Sequence, residues 1–200
     1  MRVILIVLLL VSTFLSTQGN ARDINGQFAV KGVGNVSCAK FVDIVEDAQN
    51  EQKFLFVGWL NGYLTAHNYY LPDTFDLVSW ENVDTLTYYL IGHCKKYPAM
   101  SFFQATTQLS NSLHDFRIDK LMSKDGKLDK TQSTQLYFQV KVMLQQRLAA
   151  LGFYKGEIDG DLGPSTLQAI QQYKVKNGLL NTQQIDQQVL FSLLKNKADP

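Results

Sequence analysis

GFYKGEIDGDLGPSTLQAI, residues 152–170, places four glycines (Gly152, Gly156, Gly160, Gly163) and Pro164 within thirteen positions and then turns to helical spacing. Glycine supplies no side chain and loses the most chain entropy on folding, so such a cluster needs a geometric reason. Upstream, Val140, Leu144, Leu148 and Leu151 recur at helical intervals, and Gly152 suits the left-handed position that ends a helix. Downstream, Pro164 and Ser165 open a helix whose inward face carries Leu167, Ile170, Tyr173 and the stem of Lys174, and Asn177-Gly178 ends it. Thr182 is expected to cap a last helix bearing Ile185, Val189 and Leu193. The reading is a three-helix domain over 138–196, tied together by a tight Gly-Asp turn.

Working outward, residues 115–137 read as a polar, charged, turn-rich linker. Its SKDGKLDK segment, residues 123–130, lacks the alternating carboxylates and closing Glu that calcium coordination needs, so a solvated loop is expected. Residues 33–114 carry four helical patterns. Cys38, Phe41, Val42, Val45 and Ala48 make an amphipathic stripe that Ser37 can cap. FLFVGWLNGYLTAH is apolar nearly all round and is expected to be buried. A third helix, starting around Ser79, presents Val83, Leu86, Leu90 and Cys94, with Lys95 and Lys96 at its negative end and Pro98 beyond. Phe102, Ala105, Leu109 and Leu113 make the fourth. The fold class is therefore all-α: two small helical domains, an N-terminal four-helix bundle and a C-terminal three-helix domain.

The chain opens with Met1-Arg2, a nine-residue apolar run VILIVLLLV and a small-x-small end at Gly19-Asn20-Ala21. That is the pattern of a secretory signal peptide over 1–21, too short to span a bilayer. Nothing downstream has membrane-spanning length and apolarity. The expected location is periplasmic or secreted. Cys38 and Cys94 both fall in the exported part and read as one disulfide, because an isolated pair in an oxidising compartment pairs first. Removing the leader takes one of 19 basic side chains, Arg2, and leaves eighteen against 18 acidic ones. A formally neutral chain has no electrostatic footprint for nucleic acid.

The segment LQQRLAALGFYKGEIDGDLGPSTLQAIQQYKVKNGLL resembles throughout the three-helix peptidoglycan-binding domain found on many bacterial wall hydrolases. The family pattern is carried by Leu144-Gln145, Leu148, Leu151-Gly152, Tyr154, Gly156, Asp159-Gly160, Gly163-Pro164, Thr166, Ala169, Tyr173 and Asn177-Gly178-Leu179. Two positions depart from it: Lys174 stands where the family has Gln after the aromatic, and Gln183-Gln184 where it has a second Asp-Gly. The resemblance implies peptidoglycan as the ligand. Tyr154, Asp159, Gly160, Gly163, Thr166 and Tyr173 are the candidate wall-contacting residues. Gly160 and Gly163 are expected to supply backbone conformations closed to other residues, with Tyr154 exposed beside them. The frame SCAKFVDIV … FVGWLNGYL … LPD … VDTLTYYLIGHCKKYPAMSFFQA resembles periplasmic acid-stress chaperones of the HdeA type and immunity proteins against type VI secreted amidases. That likeness implies a periplasmic protein partner, with Trp59, Tyr63, Tyr69, Tyr70 and Trp80 as candidate surface aromatics.

No Gly-x-Ser-x-Gly, His-Glu-x-x-His or Cys-x-x-Cys occurs; His67, His93 and His114 are single, and Asp43, Glu46 and Asp47 share a polar helix face. The expectation is a non-enzymatic protein with no catalytic residue, metal or cofactor. The alternative is a peptidoglycan-remodelling hydrolase or its regulatory subunit.

Overall fold

The computed structural model describes residues 23–124, 136–182 and 184–195. The signal-peptide segment and residues 125–130 of the SKDGKLDK loop lie outside the described residues. The chain divides into a short unit, Met1–Val30, and the body, Lys31–Pro200. In the described part of the first, Asp23 Oδ1 accepts from the backbone N–H groups of Asn25 and Gln27, at 2.9 and 2.7 Å, and shapes a turn through Gly26.

The body is helical, with only two isolated β-bridges among the described residues. After a 3-10 turn at Gly32–Asn35 come α1 (Cys38–Glu46), α2 (Lys53–Tyr70), α3 (Val83–Lys96) and α4 (Phe102–Leu113). Ser37 caps α1 as expected, accepting from Lys40 N–H at 3.3 Å. Ser101 caps α4 in a reciprocal box with Gln104. These two starts lie side by side: Cys38 N–H donates to Met100 O at 2.7 Å and Phe102 N–H to Val36 O at 2.8 Å. Phe41, Phe56 and Phe102 meet with ring centroids 4.6–5.1 Å apart and form the centre of the first core. The Cys38–Cys94 disulfide, with Cα atoms 4.7 Å apart, joins α1 to α3 inside it.

Two expectations for this half are corrected. Helix α2 buries only Phe56 and Leu60, whereas Phe54 and Leu55 remain 65% and 60% exposed, because the bundle covers one side of the helix only. Helix α3 starts at Val83 rather than Ser79, because Asn82 takes the cap, accepting from Thr85 N–H at 2.9 Å.

The C-terminal half holds α5 (Phe138–Ala150), α6 (Pro164–Lys176) and α7 (Gln187–Leu190), which runs into a π-helical turn at Phe191–Lys195. Gly152 and Gly178, both left-handed, end α5 and α6. Val140, Leu144, Leu148, Ala169, Ile170, Val189, Leu190 and Leu193 fill a second core. Trp80 and Ile118, from outside these helices, complete it.

The two halves are joined along their flanks. Tyr137 O–H donates to Asp76 Oδ2 at 2.6 Å, and Asp76 pairs with Ile118 in a β-bridge. Burial, and then this bond, push the Tyr137 phenol well above its ordinary pKa. Gln187 spans the junction: its Nε2 donates to Trp80 O at 2.9 Å, while its Oε1 accepts from Asn82 N–H and Thr85 O–H at 3.1 and 2.8 Å. The ends of the expected linker are therefore packed, with Ile118 buried and Tyr137 bonded.

Candidate functional site

The Gly-Asp turn is built around a glutamine. Gln145 on α5 is fully buried, in a row otherwise made of Val140, Leu144 and Leu148. A buried primary amide needs partners for both its donors and its acceptor. Its Oε1 accepts from Gly160 N–H at 2.7 Å, and its Nε2 has Asp159 Oδ1 and Asp161 O as nearest acceptors, at 2.9 and 3.0 Å. Thr166 O–H donates to the same Asp161 carbonyl at 3.0 Å, tying the turn to the first turn of α6.

Glycine is required here for two different reasons. Gly160 sits at φ +72°, and a Cβ on it would also meet the Phe138 ring at 2.4 Å. At Gly156 the constraint is space alone, since a Cβ would lie 2.5 Å from the Tyr154 hydroxyl. Gly163 corrects the expectation of a special conformation: its φ of −74° is open to any residue and nothing lies near its Cβ position, because it serves as the N-cap of a helix that begins with Pro164.

The candidate contact residues are drawn together, but mostly inward. Tyr154 is only 7% exposed, and its hydroxyl donates to Glu157 O at 2.8 Å, so the expected exposed aromatic is corrected to a pillar beneath the loop. Thr166 is buried; Tyr173 is buried edge-on to Phe153, its hydroxyl 2.6 Å from Ser192 Oγ. Asp159 is part-exposed. Its hydrogen bond from Gln145, then that from Asp161 N–H, hold its carboxyl below the ordinary carboxylate range. Lys124 faces the same edge, bonded to Asp161 at 2.5 Å and standing 3.7 Å from Asp159 Oδ2. The bond to Asp161 raises the Lys124 ammonium above its ordinary value.

What the domain shows to solvent is the next face along. Gln168, Gln171, Gln172, Val175 and Lys176 recur at i, i+3, i+4, i+7 and i+8 on α6 and line an open groove of about 400 Å³. Three primary amides there can each donate and accept, and the methyl groups of Val175 add an apolar contact. These glutamines were absent from the expected set. Their spacing on the outward side of the Pro164 helix was the signal.

The departure at Lys174 also finds its partner. Its stem is buried as expected, and its ammonium, fully buried, donates to Asp186 Oδ2 at 2.6 Å, Gln184 O at 2.7 Å and Thr182 Oγ1 at 2.9 Å. Asp186, not Thr182, caps α7, accepting from Val189 N–H at 2.9 Å. Asp186 takes the cap because the buried cation holds it at the helix start.

Of the surface aromatics, Tyr69 and Tyr70 are 79% exposed, Trp59 and Tyr63 are half-buried and stacked on each other, and Trp80 is buried in the second core. The histidines stand apart on α2, α3 and the turn after α4. Among the described residues no three or more His, Cys, Asp or Glu side chains cluster closely enough to hold a metal ion. Among the same residues no helix is long and apolar enough to cross a membrane.

Residues 142–192 match the family described as "Putative peptidoglycan binding domain", and the chain carries a helical domain of that kind at its C-terminal end. The matched span begins within α5 and ends just past α7, so it takes in the Gln145 turn, α6 and the Lys174–Asp186 pair. No curated protein and no solved structure matches the chain.

Proposed function

We propose that this is a non-enzymatic, exported envelope protein that holds peptidoglycan through its C-terminal domain and presents its N-terminal helical half to a periplasmic protein, as chaperone, inhibitor or immunity factor. The observation that carries the reading is the match over 142–192, on a domain whose outer face is a row of amides. Wall glycopeptide is itself dense in amides and hydroxyls, and Gln168, Gln171 and Gln172 offer both donors and acceptors to them. The buried knot at Gln145 acts as a scaffold: it fixes the turn from which α6 starts, and so the position of that face. Exposed Phe54, Leu55, Tyr69 and Tyr70 on α2 support a role for the other half in meeting protein.

Sedimentation with insoluble wall sacculi tests the anchor. The protein is expected to pellet with sacculi, and Gln168→Glu/Gln172→Glu is expected to leave it in the supernatant while its circular dichroism is unchanged. Wild-type protein that stays soluble would sink the reading. Release of muropeptides from the same sacculi would replace it with a wall hydrolase.

A further inference from the structure

The outward row of α6 divides into two ridges. Gln168, Gln172 and Lys176 stand four residues apart along one, Gln171 and Val175 along the other, and the groove of about 400 Å³ lies between them. From Gln168 to Lys176 the helix rises about 12 Å, the span of roughly three to four residues of extended peptide. Gln168 and Gln172 are exposed, and their side chains hold no hydrogen bond to another described residue. Gln171 Nε2 reaches Asn181 Oδ1 at 3.3 Å, which leaves its carbonyl oxygen open. A row of primary amides suits a chain that presents a donor and an acceptor at each residue.

Charge separates the two parts of the wall polymer. No Asp or Glu occurs from Gly163 to Ile185, and the charge of Lys174 is buried against Asp186. Lys176 is therefore the one outward charge of the helix. The carbonyls that a last-turn lysine ordinarily serves are already taken: the N–H groups of Asn177, Gly178 and Leu179 donate to Tyr173, Val175 and Lys174 at 3.0, 3.3 and 2.9 Å. No described carboxylate forms an ion pair with Lys176. Its ammonium lies 5.5 Å from the centroid of the Phe153 ring, which steadies it without neutralising it. A sugar ring packs its C–H groups on an open aromatic face, and the lining has none: Tyr173 is buried and Lys176 stands over Phe153.

We propose that this groove takes the peptide stem of peptidoglycan in extended form, with a free stem carboxylate at Lys176, and leaves the glycan strand outside. The assignment rests on the reading that the C-terminal domain holds the wall, and names the part it grips. The glutamine amides pair with the stem's backbone, Val175 meets its methyl groups, and Lys176 selects the acid form over a fully amidated one.

The test is an NMR titration of the isotope-labelled protein with three probes: a free stem tetrapeptide, the same peptide with every carboxylate amidated, and chitotetraose, an uncharged glycan. The acid stem is expected to move the signals of Gln168, Gln172 and Val175. Amidation is expected to weaken it roughly threefold, a preference that fades in high salt. Lys176→Gln is expected to weaken the acid stem by the same factor and leave the amidated one unchanged, while Lys176→Arg keeps the preference. Chitotetraose binding more tightly than the stem, or Lys176→Gln weakening both stems equally, overturns the proposal. Protein that pellets with sacculi while the stem leaves its α6 signals unmoved keeps the wall reading and loses this one; protein that does not pellet loses both.

Discussion

Lys174 Nζ lies 2.6 Å from Asp186 Oδ2 inside the C-terminal domain, while the other oxygen of that carboxylate caps α7 through Val189 N–H. One acidic side chain thus neutralises a fully buried cation and starts a helix. Removing Asp186 would strand a buried ammonium without its counter-charge and leave the helix start without its cap, whereas removing Lys174 leaves the cap in place.

Asp186→Asn is therefore expected to destabilise the protein by about 3 kcal/mol, read from urea unfolding, because the fully buried Lys174 ammonium loses its counter-ion. The pH dependence has a definite sign. Burial works to raise the Asp186 pKa, but the bond from Lys174 and the cap outweigh it and hold it below the ordinary 3.8. The pair's contribution is present above that value and is lost as pH falls through the lower folded-state value. Acid titration of the variant is expected to show a shallower loss of stability below pH 3.8 than wild type.

Gly160→Ala and Gly163→Ala should part company. The first forces a side chain into a left-handed backbone and against Phe138, and is expected to cost about 2 kcal/mol or more. The second meets no neighbour at an ordinary φ and is expected to cost under about 1 kcal/mol, the difference between Gly and Ala at a helix N-cap. Thermal melting of the two single variants checks this, and equal shifts would contradict the assignment of Gly163 to a simple cap.

Gln145→Leu removes the acceptor of Gly160 N–H and the donor to Asp159 and Asp161 together. A loss of about 2 kcal/mol is expected from the groups left unpaired. Hydrogen exchange should locate the loosening between Gly152 and Gly163, with α4 unchanged.

Reducing Cys38–Cys94 reopens a loop of 56 residues and is expected to lower stability by about 4 kcal/mol. Because α3 carries both Cys94 and the contacts to Gln187, amide exchange should quicken in α7 as well as in α1. Quickening confined to α1 and α3 would mean that the junction is weak.

Helix starts and stops were legible wherever the signal was local. Ser37, Pro164 and Gly178 each act within one turn of chain, and each does in the fold what its residue type dictates. Contacts between distant segments were not legible. Helical spacing tells which side of a segment is apolar, but not what that side will meet, so Trp80 read as surface and lies in the second core. Tyr154 misled for a related reason: an aromatic beside glycines looks accessible until the loop over Gly156 folds across its hydroxyl. Gln145 stood in an apolar row without an evident role, and only its five neighbours within the turn supply one.

The bonds of Gln187 and Tyr137 across the middle of the body bear on what the proposed wall anchor would hold. A leash would let whatever is carried at its end wander over the murein. Braced at both flanks, the body is instead a strut: on the proposed reading, the disulfide-stapled end would be offered at one bearing relative to the wall, and a tug at one end would be felt at the other.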